Sequence, residues 1–346
     1  MTNQVIKYSM EVNSISNAKK FLPNVVVLGA QKCGTTWLFK NLQTHPDILI
    51  PRKEIHYFTR HHSKGIEWYS DYYKDTYNGQ KILMDIATNY LYDHDYFRRY
   101  MLTYHRNVAE EIYNTLNEPK LILMVRDPID RAFSQYINLL QETITYGAIY
   151  SGKIKPIDSL KARKMGFKYP KHWPLGFKLQ DRDAFFYVPD TFEKAIITHP
   201  YLLMRGFFAT YLKKYLEYFK KDQFLFLEFN MLKKNPKGLL NSVYDFLGIE
   251  RYYDEEFLYK RINPASKRKI VRNWSLESYI IRILREETIP HKFKIPLKIL
   301  SKLNLALGKK AQPKPKKETI KILSRWYKPH NLELEKITGL NLSHWK

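Results

Sequence analysis

Cysteine is almost absent from this chain of 346 residues, and Cys33 is its single example. One thiol excludes an intrachain disulfide and any zinc cage built from several cysteines, and a reducing cytoplasm is the simplest compartment. Long hydrophobic runs are missing as well. No stretch of 18 consecutive apolar residues occurs, so no transmembrane helix is expected. The N-terminal MTNQVIKYSMEVNSISNAKK lacks the basic start and apolar block of a secretory signal and reads as a loose polar arm over residues 1–20. No internal repeat and no nucleic-acid-binding motif is visible, and His61-His62 are adjacent and so cannot face one metal as i, i+4 ligands do. Acidic residues are in short supply. Against 58 lysines and arginines stand 34 aspartates and glutamates, a net charge of +24. That balance suits a polyanionic partner such as nucleic acid, an anionic membrane, an acidic glycan or a charged cofactor, although Lys-rich composition alone also produces it.

What is present is an apolar fraction of 44%, enough for a substantial core in one large domain or two modest ones. The organising stretch is VVVLGAQKCGTTW at 25–37. Its β-branched start predicts a buried strand, and the glycine-bounded loop leads into a helix from Thr35 that ends near His45-Pro46. Strand, glycine loop and helix N-terminus together form an anion-binding arrangement. GAQKCGTT nearly matches the phosphate-loop pattern G-x-x-x-x-G-K-[ST], but Thr35 stands where the lysine belongs, and Lys32 lies two residues before the second glycine.

Further strands are predicted at 81–85, 120–125 and 224–228, with helices at about 94–116, 129–140, 211–219 and 239–247, and one following Asp190-Thr191. Strands alternating with helices predict an α/β fold, a single P-loop-like domain over 21–346 with a central parallel sheet flanked by helices. A tyrosine-rich turn is expected after Trp68-Tyr69, and an aperiodic insert at about 141–189 interrupts the rhythm. Between Thr288 and Lys317 there are nine lysines and no acid, interleaved with Ile and Leu. That segment suits contact with anionic lipid, a basic cover over an active site, or a solvated face over an apolar stripe.

KCGTTW, behind a strand and before a helix ending in HP, resembles the phosphosulfate-binding loop of sulfotransferases that use 3'-phosphoadenosine 5'-phosphosulfate (PAPS). LILMVRDPIDRAFSQY at 121–136 is similar to that family's second nucleotide motif, in which the arginine and serine bind the 3'-phosphate; here these are Arg126 and Ser134. PRKEIHYF at 51–58 resembles the K-E-x-H-F-F segment of the heparan-sulfate-type branch, whose glutamate is the base. The resemblance therefore implies Lys32, Glu54 and His56 as catalytic residues. It implies Gln31, Lys32, Cys33, Gly34, Thr35, Thr36, Trp37, Arg126, Ser134 and Arg268 as donor ligands, and Lys53, Asp85 and Trp68 at the acceptor. LMRGFFATYL at 203–212 and the C-terminal YKPHNLELEKITGLNLSHW extend the likeness, which spans about 24–346 apart from the insert. It departs at 85–90, where relatives carry E-K-x-P-x-Y and this chain reads DIATNY, so Ile86 replaces a lysine and Thr88 a proline.

The expected reaction is sulfuryl transfer from PAPS, leaving the desulfated nucleotide PAP, to a hydroxyl or amine of a carbohydrate or glycolipid, in line and without a metal. Sulfation of a phenol or other small acceptor is the alternative. An ATP-dependent phosphotransferase is disfavoured by Thr35 and Arg126. A binder of nucleic acid or membrane surfaces rests on charge alone, so no nucleic-acid partner is expected. The expected location is the cytoplasm, with peripheral contact to an anionic membrane through the basic segment.

Overall fold

The computed structural model describes residues 20–92, 107–146, 191–260, 299–300, 303 and 314–345. The arm, most of the insert, nearly all of the basic segment and Arg268 therefore lie outside the described residues. Five parallel strands form one sheet: β1 (Val25–Gly29), β2 (Ile48–Leu49), β3 (Ile82–Ile86), β4 (Lys120–Val125) and β5 (Phe224–Glu228), in the order β2-β3-β1-β4-β5. Every residue of β1 and β3 is buried, as are five of the six in β4, which is why these strands read as unbroken apolar runs. β1 is central, with Val26 opposite both Asp85 of β3 and Leu121 of β4. From β1 the chain passes to the edge at β2, returns to β3 between them, and then crosses to β4 on the other side. The strand order thus reverses at β1/β4, and open α/β sheets bind ligands beyond the carboxyl ends at such a reversal.

The helices are α1 (Thr35–Leu42), α2 (Gly65–Lys74), α3 (Val108–Thr115), α4 (Pro128–Tyr146), α5 (Phe192–Thr198), α6 (Tyr201–Met204), α7 (Phe208–Leu216), α8 (Phe229–Lys234), α9 (Pro236–Leu247), α10 (Glu255–Leu258) and α11 (Lys317–Thr338). No described helix is long and apolar enough to cross a membrane. The parallel α/β sheet flanked by helices is the architecture the sequence predicts, with local corrections. β2 was not anticipated, because two residues at a sheet edge carry no period. The tyrosine-rich stretch after Trp68 is helical, since burying Tyr69 and Tyr73 on one face of α2 puts them at the i, i+4 spacing of a helix. α4 continues to Tyr146, so the break expected at 141 comes later than predicted. α7 starts and ends three residues earlier than expected, because Phe208 and Ala209 belong to its buried face. α9 closes on Gly248 at φ 74 as predicted, an αL cap that glycine adopts without strain.

The described chain separates into two compact units. The first, from 1–126, 208–262 and 330–343, holds the sheet. The second, from 127–207, 263–329 and 344–346, is helical among its described residues. Its core joins Ile129, Tyr136 and Ile137 of α4 to Phe192, Leu202 and Leu203, with Leu323 and Tyr327 of α11. The Tyr327 hydroxyl donates to the Leu203 carbonyl at 2.6 Å. A Cβ on Gly206 would stand 2.7 Å from the Pro128 ring, so only glycine fits there.

Candidate active site

At the exit of β1 the backbone takes a path that two glycines make feasible. Gly29 has φ 123, and a Cβ there would lie 2.8 Å from the Thr88 carbonyl oxygen. Gly34 has φ 101, and its Cβ would press on Leu232, Met124 and Phe229 at 3.2 Å. Between them Lys32 is also left-handed, at φ 68. This curl is pinned to β4 by the Ala30 N–H, which donates to the Met124 carbonyl at 2.9 Å. It delivers the chain to α1, whose N-cap Gly34 offers no side chain to cap the first turn. The N–H groups of Gly34, Thr35 and Thr36 consequently make no hydrogen bond among the described residues. They are available to an anion on the α1 axis. The construction fits a phosphosulfate: a glycine-shaped concavity, uncapped donors and a lysine in the loop.

Arg126 follows β4 directly. Its Nη1 donates to the Lys32 carbonyl at 3.2 Å, and its guanidinium lies 4.4 Å from the centre of the Phe229 ring. A permanent cation is therefore held against the loop by a hydrogen bond and an aromatic face. Cys33 is fully buried, with its thiol toward the Gln31 carbonyl at 3.7 Å. Trp37 is buried too, and its indole N–H donates to the Leu258 carbonyl at 3.1 Å, so it locks α1 onto α10. Packing accounts for Trp37 where a donor contact was expected.

The loop at 51–56 runs beside the end of β3, where the Glu54 N–H donates to the Ile86 carbonyl at 2.8 Å. Both Glu54 (φ 62) and His56 (φ 57) are left-handed, a strained conformation for residues with side chains that concentrates at functional sites. Glu54 Oε1 accepts from the Thr88 hydroxyl at 2.9 Å and lies 3.7 Å from Lys53 Nζ. Its Oε2 faces His56 Nε2 at 3.8 Å. Lys53 Nζ donates to Thr36 Oγ1 at 2.8 Å, so one side chain links the first turn of α1 to Glu54. The pKa of His56 is pushed down to about 4, first by burial and then by Arg60, with Glu54 pulling the other way, so the ring is neutral near pH 7.

Asp85 requires a correction. Expected at the acceptor, it has no exposed surface, and its Oδ2 accepts from the hydroxyls of Tyr69 at 2.6 Å and Tyr90 at 2.8 Å. Burial raises its pKa to about 6 against the pull of those two phenols. It organises the aromatic core beneath the site through Tyr69 and Tyr90. Trp68 is half-buried, stacked near Tyr57 and edge-on to Tyr72 at 5.0 Å, with Lys64 Nζ 4.5 Å from its ring centre. Ile86 is fully buried, so β3 ends in core. Ser134 lies on α4 in the second unit and is half-buried. His62 pairs with Glu111 at 2.7 Å, and no group of three or more potential metal ligands occurs among the described residues.

The sequence reading missed Thr88, Asn89 and Phe229 as site residues. Thr88 registered only as a lost proline, although a hydroxyl just past a buried strand, in a segment already compared with the E-K-x-P-x-Y pattern, was a usable signal.

The profile of the sulfotransferase domain matches residues 22–280. Human heparan sulfate glucosamine 3-O-sulfotransferase 3A1 is 27% identical over 331 residues, covering 94% of this chain and 63% of that protein. The chain thus spans just under two-thirds of that relative's length. The membrane-associated sulfotransferase kil1 of Dictyostelium discoideum is 36% identical over 118 residues, which is 33% of this chain and 22% of that protein. Among solved structures, a sulfotransferase from Alicyclobacillus acidocaldarius shares the fold with a TM-score of 0.51 at 17% identity, covering 93% of this chain and 98% of that one. With the profile matching most of its length, the chain belongs to the sulfotransferase domain family.

Proposed function

We infer that this protein transfers the sulfuryl group of PAPS to a hydroxyl or amine of a heparan-sulfate-type carbohydrate or related glycolipid. The observation that carries the reading is the Lys53 bridge, 2.8 Å to Thr36 in the anion-binding turn and 3.7 Å to the Glu54 carboxylate. It brings a charge-accepting loop and a base to one end of the sheet, the two groups an in-line group transfer requires.

Bound in the loop, PAPS supplies a sulfuryl group on a phosphate that leaves as an anion. The N–H groups of Gly34, Thr35 and Thr36, with Lys32, would receive the charge that grows on that phosphate. Arg126 would hold the 3'-phosphate by its planar fork. Glu54 Oε2 would take the acceptor proton, while Lys53 orients the opposite carboxylate oxygen and offers positive charge toward the sulfonate. The carbohydrate assignment is supported by the heparan-sulfate relative and by the basic charge of the chain, +24 overall.

Incubation with radiolabelled PAPS and a panel of desulfated heparan, glycolipids, phenols and peptides tests the reading. Label should pass to the heparan or glycolipid acceptors. The Glu54→Gln variant should retain PAP binding and lose transfer by a factor of about 10² or more. Near-full turnover by that variant would remove Glu54 as the base. Label on phenols alone would move the acceptor class.

A further inference from the structure

We propose that Thr88-Asn89 is the positioning element of the active site, one residue orienting Glu54 and its neighbour orienting His56, so that Glu54 Oε2 and His56 Nε2 form a two-acceptor notch for a single O–H or N–H. This rests on the sulfotransferase reading above and deepens it. Thr88 stands where the E-K-x-P-x-Y pattern has proline, which carries no hydroxyl, and Asn89 at the variable position after it.

The hydrogen bonds define the notch. Thr88 donates its hydroxyl to Glu54 Oε1 at 2.9 Å, which turns Oε2 toward His56. Asn89 spends its amide Nδ2 on Thr59 Oγ1 at 3.2 Å, so its Oδ1 is the atom facing His56 Nδ1 at 2.9 Å. An amide oxygen only accepts, hence Nδ1 carries the imidazole proton and Nε2 of the neutral ring carries a lone pair. Nε2 and Oε2 are then two acceptors 3.8 Å apart, too distant to bond each other and with no proton between them. A hydroxyl entering the notch satisfies either atom.

The element is referenced to the donor loop through the backbone. The Ala87 N–H donates to the Val27 carbonyl at 3.2 Å and the Leu91 N–H to the Leu28 carbonyl at 2.9 Å, which brackets Thr88-Asn89 against β1. Gly29, where the loop begins, packs on the Thr88 carbonyl. Base and donor loop therefore share a rigid frame one residue wide. In the step this frame serves, the acceptor oxygen forms its bond to sulfur and passes its proton to Glu54 Oε2. The bond from sulfur to the 5'-phosphate oxygen breaks, and its electron pair stays on the phosphate. His56 Nε2 holds the hydroxyl in line before transfer and accepts no net proton.

Two variants test this with independent readouts. Thr88→Val removes the hydroxyl at constant shape and should lower kcat about tenfold while the KM for PAPS changes less than about twofold, with Thr88→Ser restoring most of the rate. Asn89→Ala should shift His56 from the Nδ1–H to the Nε2–H tautomer, read from imidazole ¹⁵N chemical shifts in the uncatalysed protein. Unchanged kcat in Thr88→Val, or an Asn89→Ala spectrum identical to wild type, overturns the proposal. The tautomer measurement needs no acceptor, so it stands even if the carbohydrate reading fails. An active Glu54→Gln variant would instead strike the assignment of the base.

Discussion

Replacing Asp85 with asparagine should favour the folded protein more at neutral pH than in acid. The carboxyl is fully buried, and its pKa stands at about 6 in the fold against 3.8 for the ordinary side chain. Between those values the folded state binds more protons than the unfolded one, so stability falls as pH rises from about 4 to about 6 and then levels. A difference of roughly two pKa units corresponds to about 3 kcal/mol of penalty at pH 7. Asparagine is isosteric and uncharged. Its amide oxygen can occupy the place of Oδ2 and accept from Tyr69 and Tyr90, the two bonds the carboxylate now makes. Its NH₂ falls where Oδ1 has no hydrogen-bond partner among the described residues, so both phenol bonds are kept while newly buried N–H donors add a pH-independent cost of about 1–3 kcal/mol. Urea denaturation of wild type and variant at pH 4 and pH 7.5 measures the effect, and all other titrations cancel in the difference. The expected outcome is that the variant's stability relative to wild type is about 2.5 kcal/mol more favourable at pH 7.5 than at pH 4. A variant less stable than wild type at both values, by an amount independent of pH, would refute the claim that burial of charge dominates at Asp85.

Three further outcomes follow from the geometry. Lys53→Met breaks the link from Thr36 to Glu54 and should lower kcat by about 10–10² with a smaller effect on PAP affinity, measured by initial rates and calorimetric titration. Gly29→Ala must relieve a 2.8 Å contact with the Thr88 carbonyl at φ 123, so it should cost about 3 kcal/mol in denaturation and reduce turnover in the remaining folded protein. Trp37→Phe leaves the Leu258 carbonyl without its donor and should cost about 1–2 kcal/mol, while PAP affinity stays within about twofold.

Much of the donor side was legible in the residue order because it is local. VVVLG is a buried strand by composition, the glycines mark the curl, and Arg126 follows its strand directly, so contiguous chain carries both shape and chemistry. The acceptor side was less legible because its parts come from separate segments. Nothing at Glu54 announces that Thr88, 34 positions away, donates to it. Asp85 was misplaced for a related reason. The resemblance to E-K-x-P-x-Y put its acid at the acceptor, whereas the parallel register that sets Asp85 opposite Val26 puts it inside the sheet.

The sequence by itself determined the strand-loop-helix unit at 25–42, the alternation that yields a parallel sheet, and the displaced lysine that separates this loop from an ATP-binding one. These depend on period, propensity and the conformational freedom of glycine, all of which act over a few residues, and the displaced lysine shows a departure from the phosphate-loop pattern without fixing the nucleotide. Only the tertiary structure decided which polar side chains face each other. It set Lys53 between Thr36 and Glu54, committed Trp37 and Asp85 to the core, and placed Thr88 and Asn89 on Glu54 and His56. Those pairings depend on how β3 and the loop at 51–56 pack against β1, and hydrogen bonds between such distant segments exist only once the sheet has assembled.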